Sequence, residues 1–265
     1  MPMTTQPRAL PADGLRAANT IADHLDHFFR TVLATDDALV TPVCFRIITG
    51  EPSPFGNLAV FARSATPAEI ARDAGPLRSE AFPSAVLFLD EGSPEQLAAA
   101  RALGFAPAES MPLMSVTPGS LAATTLPEGY ACREVGVDDA DAWARAVSDG
   151  YGLPLPVGSL FGVDRGTARC PGHARYFAVE HGGRMVATSL VYLHDGFAGI
   201  YGVATLPEHR GKGLGAHLTA EPLRRAWQLG YTTGLLQASE MGAPVYARIG
   251  FRTHGHMTLL ARMPG

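Results

Sequence analysis

The sequence is short of the features that define several large protein classes. Only three cysteines occur in its 265 residues, Cys44, Cys132 and Cys170. They are odd in number, far apart and without a C-x-x-C pair, so neither a disulfide framework nor a thiolate metal site is expected. An excess of positive charge is missing too. The 21 Lys and Arg stand against 25 Asp and Glu, a net −4, which removes the basic face a general nucleic-acid binder uses to displace counterions from phosphates. No stretch reaches the roughly 18 unbroken apolar residues of a membrane helix, and Met1 to Leu15 lacks a basic segment followed by an apolar run. The expectation is a cytoplasmic protein with no membrane, nucleic-acid or metal partner.

What is present is an ordinary globular composition, 46% hydrophobic and 17% charged, enough to build one large core or two small ones. Helical spacing runs from Gly14 to Leu33 through Leu15, Ala18, Ile21, Ala22, Leu25, Phe28, Phe29 and Val32. Strands are expected at Val43 to Ile48, Leu58 to Phe61 and Ala85 to Leu89. Helices start at Thr66-Pro67 and Ser93-Pro94, where a capping hydroxyl precedes a proline suited to the first turn. The turn-rich, weakly patterned stretch from Thr117 to Gly129 reads as a boundary, dividing the chain into residues 1–122 and 123–265.

Beyond it come a strand (Tyr130 to Glu134), a helix (Asp138 to Ser148), a Gly/Pro-rich stretch that serves as a substrate loop or a plain connection, and a hairpin around His181-Gly182-Gly183. A strand (Ala198 to Ala204) then runs into a glycine loop. A helix (Leu214 to Leu229), a strand near Thr233 to Gln237, a short helix ending at Gly250 and a strand from Met257 to Arg262 complete the order. Trp143 and Trp227 fall on helical core positions.

The halves are related. Leu103-Gly104-Phe105 with Met111 and Leu113 aligns without a gap on Ile249-Gly250-Phe251 with Met257 and Leu259, at a constant offset of 146 residues (104 to 250). The same offset superposes a strand and a helix start, the signature of an internal repeat.

Two stretches carry chemistry. In Arg210-Gly211-Lys212-Gly213-Leu214-Gly215, alternating glycines sit between an apolar strand and an amphipathic helix. Glycines let successive amides converge on one anion, the helix dipole and two cations add to the attraction, and a phosphate is the natural ligand; a plain strand-to-helix turn is the alternative. The loop matches neither a P-loop nor a dinucleotide fingerprint. The second stretch is Tyr246-Ala247-Arg248-Ile249-Gly250-Phe251, preceded by Leu236-Gln237-Ala238-Ser239. Tyr246 lies one helical turn before a glycine stop, either facing a crevice or packed in the core.

Together the two stretches resemble the GNAT superfamily of acetyl-CoA-dependent N-acetyltransferases. The family's [RQ]-x-x-G-x-[GA] pattern matches at Arg210, Gly213 and Gly215, and its later Tyr-x-x-x-Gly-Phe pattern at Tyr246, Gly250 and Phe251. The resemblance covers about Tyr130 to Arg262. It implies an α/β (α+β) fold of two GNAT-like units, each a mixed, largely antiparallel sheet flanked by helices, with the first unit degenerate and the second catalytic. It implies acetyl-CoA as co-substrate, held by Val203, Ala204 and Thr205, by the run Arg210, Gly211, Lys212, Gly213, Leu214, Gly215 and Ala216, and by Ser239. It further implies Tyr246 as the proton donor to the departing sulfur, and a small-molecule or peptide amine as acceptor, in a monomer or homodimer. Relatives that carry a base on the strand before the loop place it where this chain has Gly199 and Tyr201. Water, Tyr201, Glu180, His194 and Asp195 stay open as proton acceptors. Opposite the glycine loop, the first half has Ser64-Ala65-Thr66-Pro67-Ala68-Glu69, and Ala100 opposite Tyr246. The alternatives are a non-catalytic acyl-CoA-binding or regulatory module and a phosphate binder of another fold.

Overall fold

The fold is described from a computed structural model that covers residues 8–79 and 81–264. Residues 1–7, part of the amino-terminal stretch read above, lie outside the described residues. The first half runs α1 (Gly14–Phe28), β1 (Leu39–Val40), β2 (Cys44–Ile48), β3 (Asn57–Phe61), α2 (Pro67–Ala74), β4 (Ser84–Phe88), α3 (Pro94–Ala102) and β5 (Ala106–Val116). Asp13 caps α1 by accepting from the Arg16 amide, and the helix ends in one wide π turn, Phe29–Leu33. Thr66 and Ser93 cap α2 and α3 in full capping boxes with Glu69 and Gln96, as a hydroxyl three residues before Glu or Gln directs.

The second half runs β6 (Tyr130–Val135), α4 (Ala140–Tyr151), α5 (Leu155–Gly158), α6 (Val163–Arg169), β7 (Ala174–His181), β8 (Arg184–His194), β9 (Phe197–Thr205), α7 (Leu214–Gln228), β10 (Gly234–Gln237), α8 (Ala243–Arg248) and β11 (Arg252–Arg262). The short helices α5 and α6 were not expected in the Gly/Pro-rich stretch. Their glycines serve close approach instead of breaking structure: a Cβ on Gly158 or Gly166 would collide with the Ser148 or Tyr176 hydroxyl.

All eleven strands form one sheet, in the order β1-β2-β3-β4-β11-β5-β10-β9-β8-β7-β6. The final strands of the two halves are exchanged. β11 pairs antiparallel with β4 of the first half, and β5 pairs antiparallel with β10 of the second. At the centre β5 and β11 pair with each other, with Met111 opposite Met257. Those two residues differ by the same 146 positions as the repeat (111 to 257), so equivalent residues face each other as they do across a two-fold axis. No periodicity in the sequence announces which half a strand will join.

The segment between β5 and β6 is tied to the second half. Leu121 and Leu126 pack on its core, the Ala122 amide donates to the Ile249 carbonyl (3.1 Å), and Arg224 donates to the Ala122 carbonyl (3.2 Å). One face of the sheet carries a core that spans both halves, with Phe45, Val60, Leu87, Met257, Tyr176, Leu190 and Tyr201 beneath α1 and α4 to α6. On the other face α2 and α3 cover the first half, and α7 and α8 cover the second. Trp143 is fully buried, and Trp227 packs at the margin of the α7 core.

Helix α1 crosses from its own half onto β9 and β10. It carries His24, bonded to the Tyr201 hydroxyl at 2.7 Å, and His27, bonded to the Tyr192 hydroxyl at 2.8 Å and stacked on His194 at 3.5 Å between ring centres. Burial lowers the pKa of all three histidines, that of His24 to about 3, and repulsion from His194 and His27 adds to the effect on His24. A group whose folded pKa lies below its unfolded value stabilises the fold above the unfolded pKa, near 6.5, and that contribution is lost as pH falls below it. Between pH 7.5 and pH 5 the protein should therefore lose about 2 kcal/mol of unfolding free energy through His24 alone. Urea titrations at the two pH values test this. A His24→Gln variant should show a smaller pH dependence than the parent, and an equal dependence would contradict the assignment.

Candidate active site

β9 and β10 lie parallel but are joined at only two positions, Ala198↔Gly234 and Gly199↔Leu235. Beyond Gly199 they part. β10 stays with β5 through Gln237↔Leu113, while β9 continues to Thr205 with β8 as its neighbour. A wedge opens between them, edged on the β9 side by peptide groups that have no partner in β10.

The register of β9 against β8 shifts between Thr188 and Leu190, leaving a bulge at Gly202 and Val203. Gly202 adopts φ +59°, a left-handed value that suits glycine, and the Trp143 ring lies 3.2 Å from where its Cβ would be. The Thr188 hydroxyl donates to the Gly202 carbonyl at 3.0 Å. These contacts hold the bulge from one face. On the other, Val203 and Thr205 stay partly exposed while Ala204 is buried, packed close to Gly150 at the end of α4.

After Thr205 a 3-10 turn, Pro207–His209, leads to the glycine loop. Gly211 and Gly213 have φ +75° and +78°, with open space where their side chains would project. Gly213 occupies the N-cap position of α7 and provides no side-chain cap, whereas α1, α2 and α3 are each capped by a hydroxyl or carboxylate. The amides of Leu214, Gly215 and Ala216 thus begin a fifteen-residue helix with its positive end uncovered. Arg210 and Lys212, the only lysine in the sequence, turn back on the loop. Arg210 donates to the carbonyls of Thr205 (3.2 Å) and Gly150 (2.8 Å), and Lys212 to that of Glu208 (2.9 Å). Both charges stay beside the loop while bracing its backbone.

Tyr246 of α8 is half-buried, with its ring against Phe251 (5.9 Å between centres). Burial pushes its hydroxyl up to about 12, against an opposing hydrogen bond from Thr219 of α7, so it is a protonated donor at neutral pH. Burial raises the pKa of Tyr151, the last residue of α4, and the nearby Tyr246 phenol raises it further. Tyr151 falls in the Gly/Pro-rich stretch expected as a substrate loop or a plain connection. Ser239 closes the turn before α8, its hydroxyl accepting from the Gly242 amide at 3.1 Å. Another residue without a sequence signal is Glu109 of β5, whose carboxylate accepts from the Glu240 amide at 2.6 Å and so ties the first half to the turn that precedes Tyr246.

The proton-acceptor candidates fall in different places. Glu180 is ion-paired to Arg133 on the outer strands. Asp195 pairs with Arg8, and His194 stacks on His27. Tyr201 lies on β9 under Phe28 and bonds His24 from 177 residues away, a partner no local pattern could reveal. Among the described residues, no group of three or more His, Cys, Asp or Glu side chains is placed to hold a metal ion, and no helix is long and apolar enough to cross a membrane.

Residues 158–251, which hold the bulge, the loop and Tyr246, match the model of the acetyltransferase (GNAT) family. Among curated proteins, no sequence matches the chain. The fold is shared over nearly its whole length with solved structures. A GCN5-related N-acetyltransferase from Kribbella flavida superposes with a TM-score of 0.63 at 22% identity, covering 94% of this chain and 96% of that one. A GCN5-related N-acetyltransferase from Sphaerobacter thermophilus gives 0.59 at 17% identity, covering 83% and 76%. A tandem GNAT protein from the clavulanic acid biosynthesis pathway gives 0.56 at 16% identity, covering 98% and 91%. Residues 158–251 are thus similar to the GNAT acetyltransferase family, which supports an acyltransferase.

Proposed function

We propose that the chain transfers an acetyl group from acetyl-CoA to a primary amine of a small molecule or peptide, by direct attack with both substrates bound, at a site in residues 123–265. The observation that carries the reading is the contrast between equivalent strand pairs. In the second half β9 and β10 part after Gly199; in the first half β3 and β4 stay paired from Leu58↔Ala85 to Phe61↔Phe88, and the Leu89 amide continues the ladder to the Phe61 carbonyl. The capping box of α2 also satisfies amides that α7 leaves bare. This supports residues 1–122 as a degenerate unit with no cofactor of its own.

The residues of the second half suit the pyrophosphate and pantetheine arm of coenzyme A. The uncapped amides of Leu214 to Ala216, the open left-handed Gly211 and Gly213, and the charges of Arg210 and Lys212 would hold the phosphates. Backbone groups of Val203, Ala204 and Thr205, and the Ser239 turn, would line the arm. The thioester supplies an activated acyl carbon. An amide fixed by the bulge at Val203 favours negative charge on the acyl oxygen, because a donor held in place needs no reorganisation. Tyr246, protonated well above neutral pH, would give its proton to the departing sulfur.

Thiol release from acetyl-CoA, measured across small amines, amino acids, aminoglycosides and peptides, tests the reading. Release dependent on an acceptor supports it; tight CoA binding with no release for any acceptor favours a binding module instead. Tyr246→Phe should lower kcat about 100-fold with acetyl-CoA affinity little changed, and unchanged turnover would remove the proposed role. Gly213→Ala, forced to a left-handed φ, should cost roughly 1–2 kcal/mol of stability and weaken CoA binding about tenfold by calorimetry. Unaltered CoA affinity would exclude the loop as the phosphate site.

A further inference from the structure

We propose that Tyr201 and His24 form a proton relay that carries the proton shed by the amine from the wedge to solvent, so that the first half supplies a working part of the second half's site. This rests on the acetyl-transfer reading above. Gly199 is the last residue of β9 paired to β10 before the strands part, and it offers no side chain. The space above it is filled from elsewhere. A Cβ placed at Gly199 would lie 2.7 Å from His24 Nδ1 and 2.7 Å from the Tyr201 oxygen. Those two atoms are hydrogen-bonded to each other at 2.7 Å, and each residue is only 4% exposed. Phe28 stacks on the Tyr201 ring at 4.0 Å between centres, which fixes the phenol over the apex of the wedge.

The far nitrogen of His24, Nε2, is buried without a hydrogen-bond partner. His24 also forms part of the wall of a cavity of about 180 Å³, with Thr20, Asp23, His194, Asp195 and Phe197. That volume has room for several waters at roughly 30 Å³ each. Asp23 and Asp195, paired with Arg63 and Arg8, are exposed acids at its rim. The proposed line runs from the apex through Tyr201 Oη, His24 Nδ1 and His24 Nε2 to the cavity that His24 helps to line.

The transfer balances along this line. The amine nitrogen bonds to the acyl carbon, the carbon–sulfur bond breaks with its electron pair on sulfur, and the nitrogen loses one proton. Tyr201 Oη takes that proton while passing its own to His24 Nδ1, and His24 releases the proton on Nε2 to cavity water. Each residue gains one bond to hydrogen as it loses another, His24 passing to its Nδ1–H tautomer until the protons return along the same line after turnover, so no phenolate or imidazolium has to persist in a buried place. Both groups start neutral, as this requires. Burial and the neighbouring His194 and His27 hold His24 near 3, opposed by the Phe197 carbonyl, and burial holds Tyr201 far above the ordinary phenol value. The other titratable and charged groups facing His24 are Asp23 on α1, Tyr192 on β8, Asp195 in the turn and Arg8.

The test uses the full chain with His24→Gln and Tyr201→Phe. Each should lower kcat for amine acetylation about 100-fold at pH 7, leave KM for acetyl-CoA within about twofold, and recover as pH rises toward about 9, where hydroxide can take the proton. Nitrogen NMR of the ligand-free protein should show His24 protonated on Nε2 with Nδ1 accepting, and Tyr201→Phe should shift the Nδ1 resonance. Unchanged kcat in both variants while the parent turns over, or a His24 protonated on Nδ1, overturns the relay and leaves the acetyl-transfer reading intact. A parent that binds CoA and acetylates no amine overturns both. If His24→Gln does not fold, Tyr201→Phe and the tautomer decide.

Discussion

Two eleven-residue strands, β5 and β11, hydrogen-bonded to each other at the centre of the sheet, are the constraint on which the other elements depend. Each belongs by sequence to one half and by its outer pairing to the other, so the halves cannot separate without breaking a backbone ladder whose groups would need new partners. The wedge follows from this. β10 is only four residues long, and β5 holds it along its whole length, which leaves its other edge free to leave β9. A strand secured on one side can part on the other at little cost when a ligand or water satisfies the exposed groups. The first half lacks that opening because β3 and β4 keep their parallel pairing to the end.

The same exchange lets the first half reach the proposed site. It brings α1 across the sheet onto β9 and β10, with His24 over Gly199, and it brings Glu109 to the turn before Tyr246. Neither contact would exist if the two halves were merely tethered. The first half lies over the apex of the wedge on the face opposite α7 and α8.

Much of this was legible in the sequence wherever the physics is local. Thr66-Pro67 with Glu69 and Ser93-Pro94 with Gln96 mark helix starts because the capping bonds span three residues. His181-Gly182-Gly183 marks a hairpin because two successive left-handed residues close it. The glycine loop and Tyr246 stand out in the sequence because their motifs are short, ordered spacings. What stayed hidden depends on contacts distant in sequence. The exchange of β5 and β11, the α1 crossing, Tyr151 beside Tyr246 and the His24 partner of Tyr201 leave no periodic trace. Helices α5 and α6 were not expected for a related reason: a glycine such as Gly158 or Gly166, which admits the Ser148 or Tyr176 hydroxyl, looks the same in sequence as one that ends a helix.

The central claim is that the parted edge of β9 and the bare start of α7 together receive coenzyme A. Hydrogen–deuterium exchange of the whole chain, with and without CoA, tests it at the level of single backbone amides. Protection confined to residues 203–205 and 211–216, with α2 and the β3/β4 pair unchanged, is the predicted result. Protection at the start of α2, or none at 211–216 under saturating CoA, would contradict it.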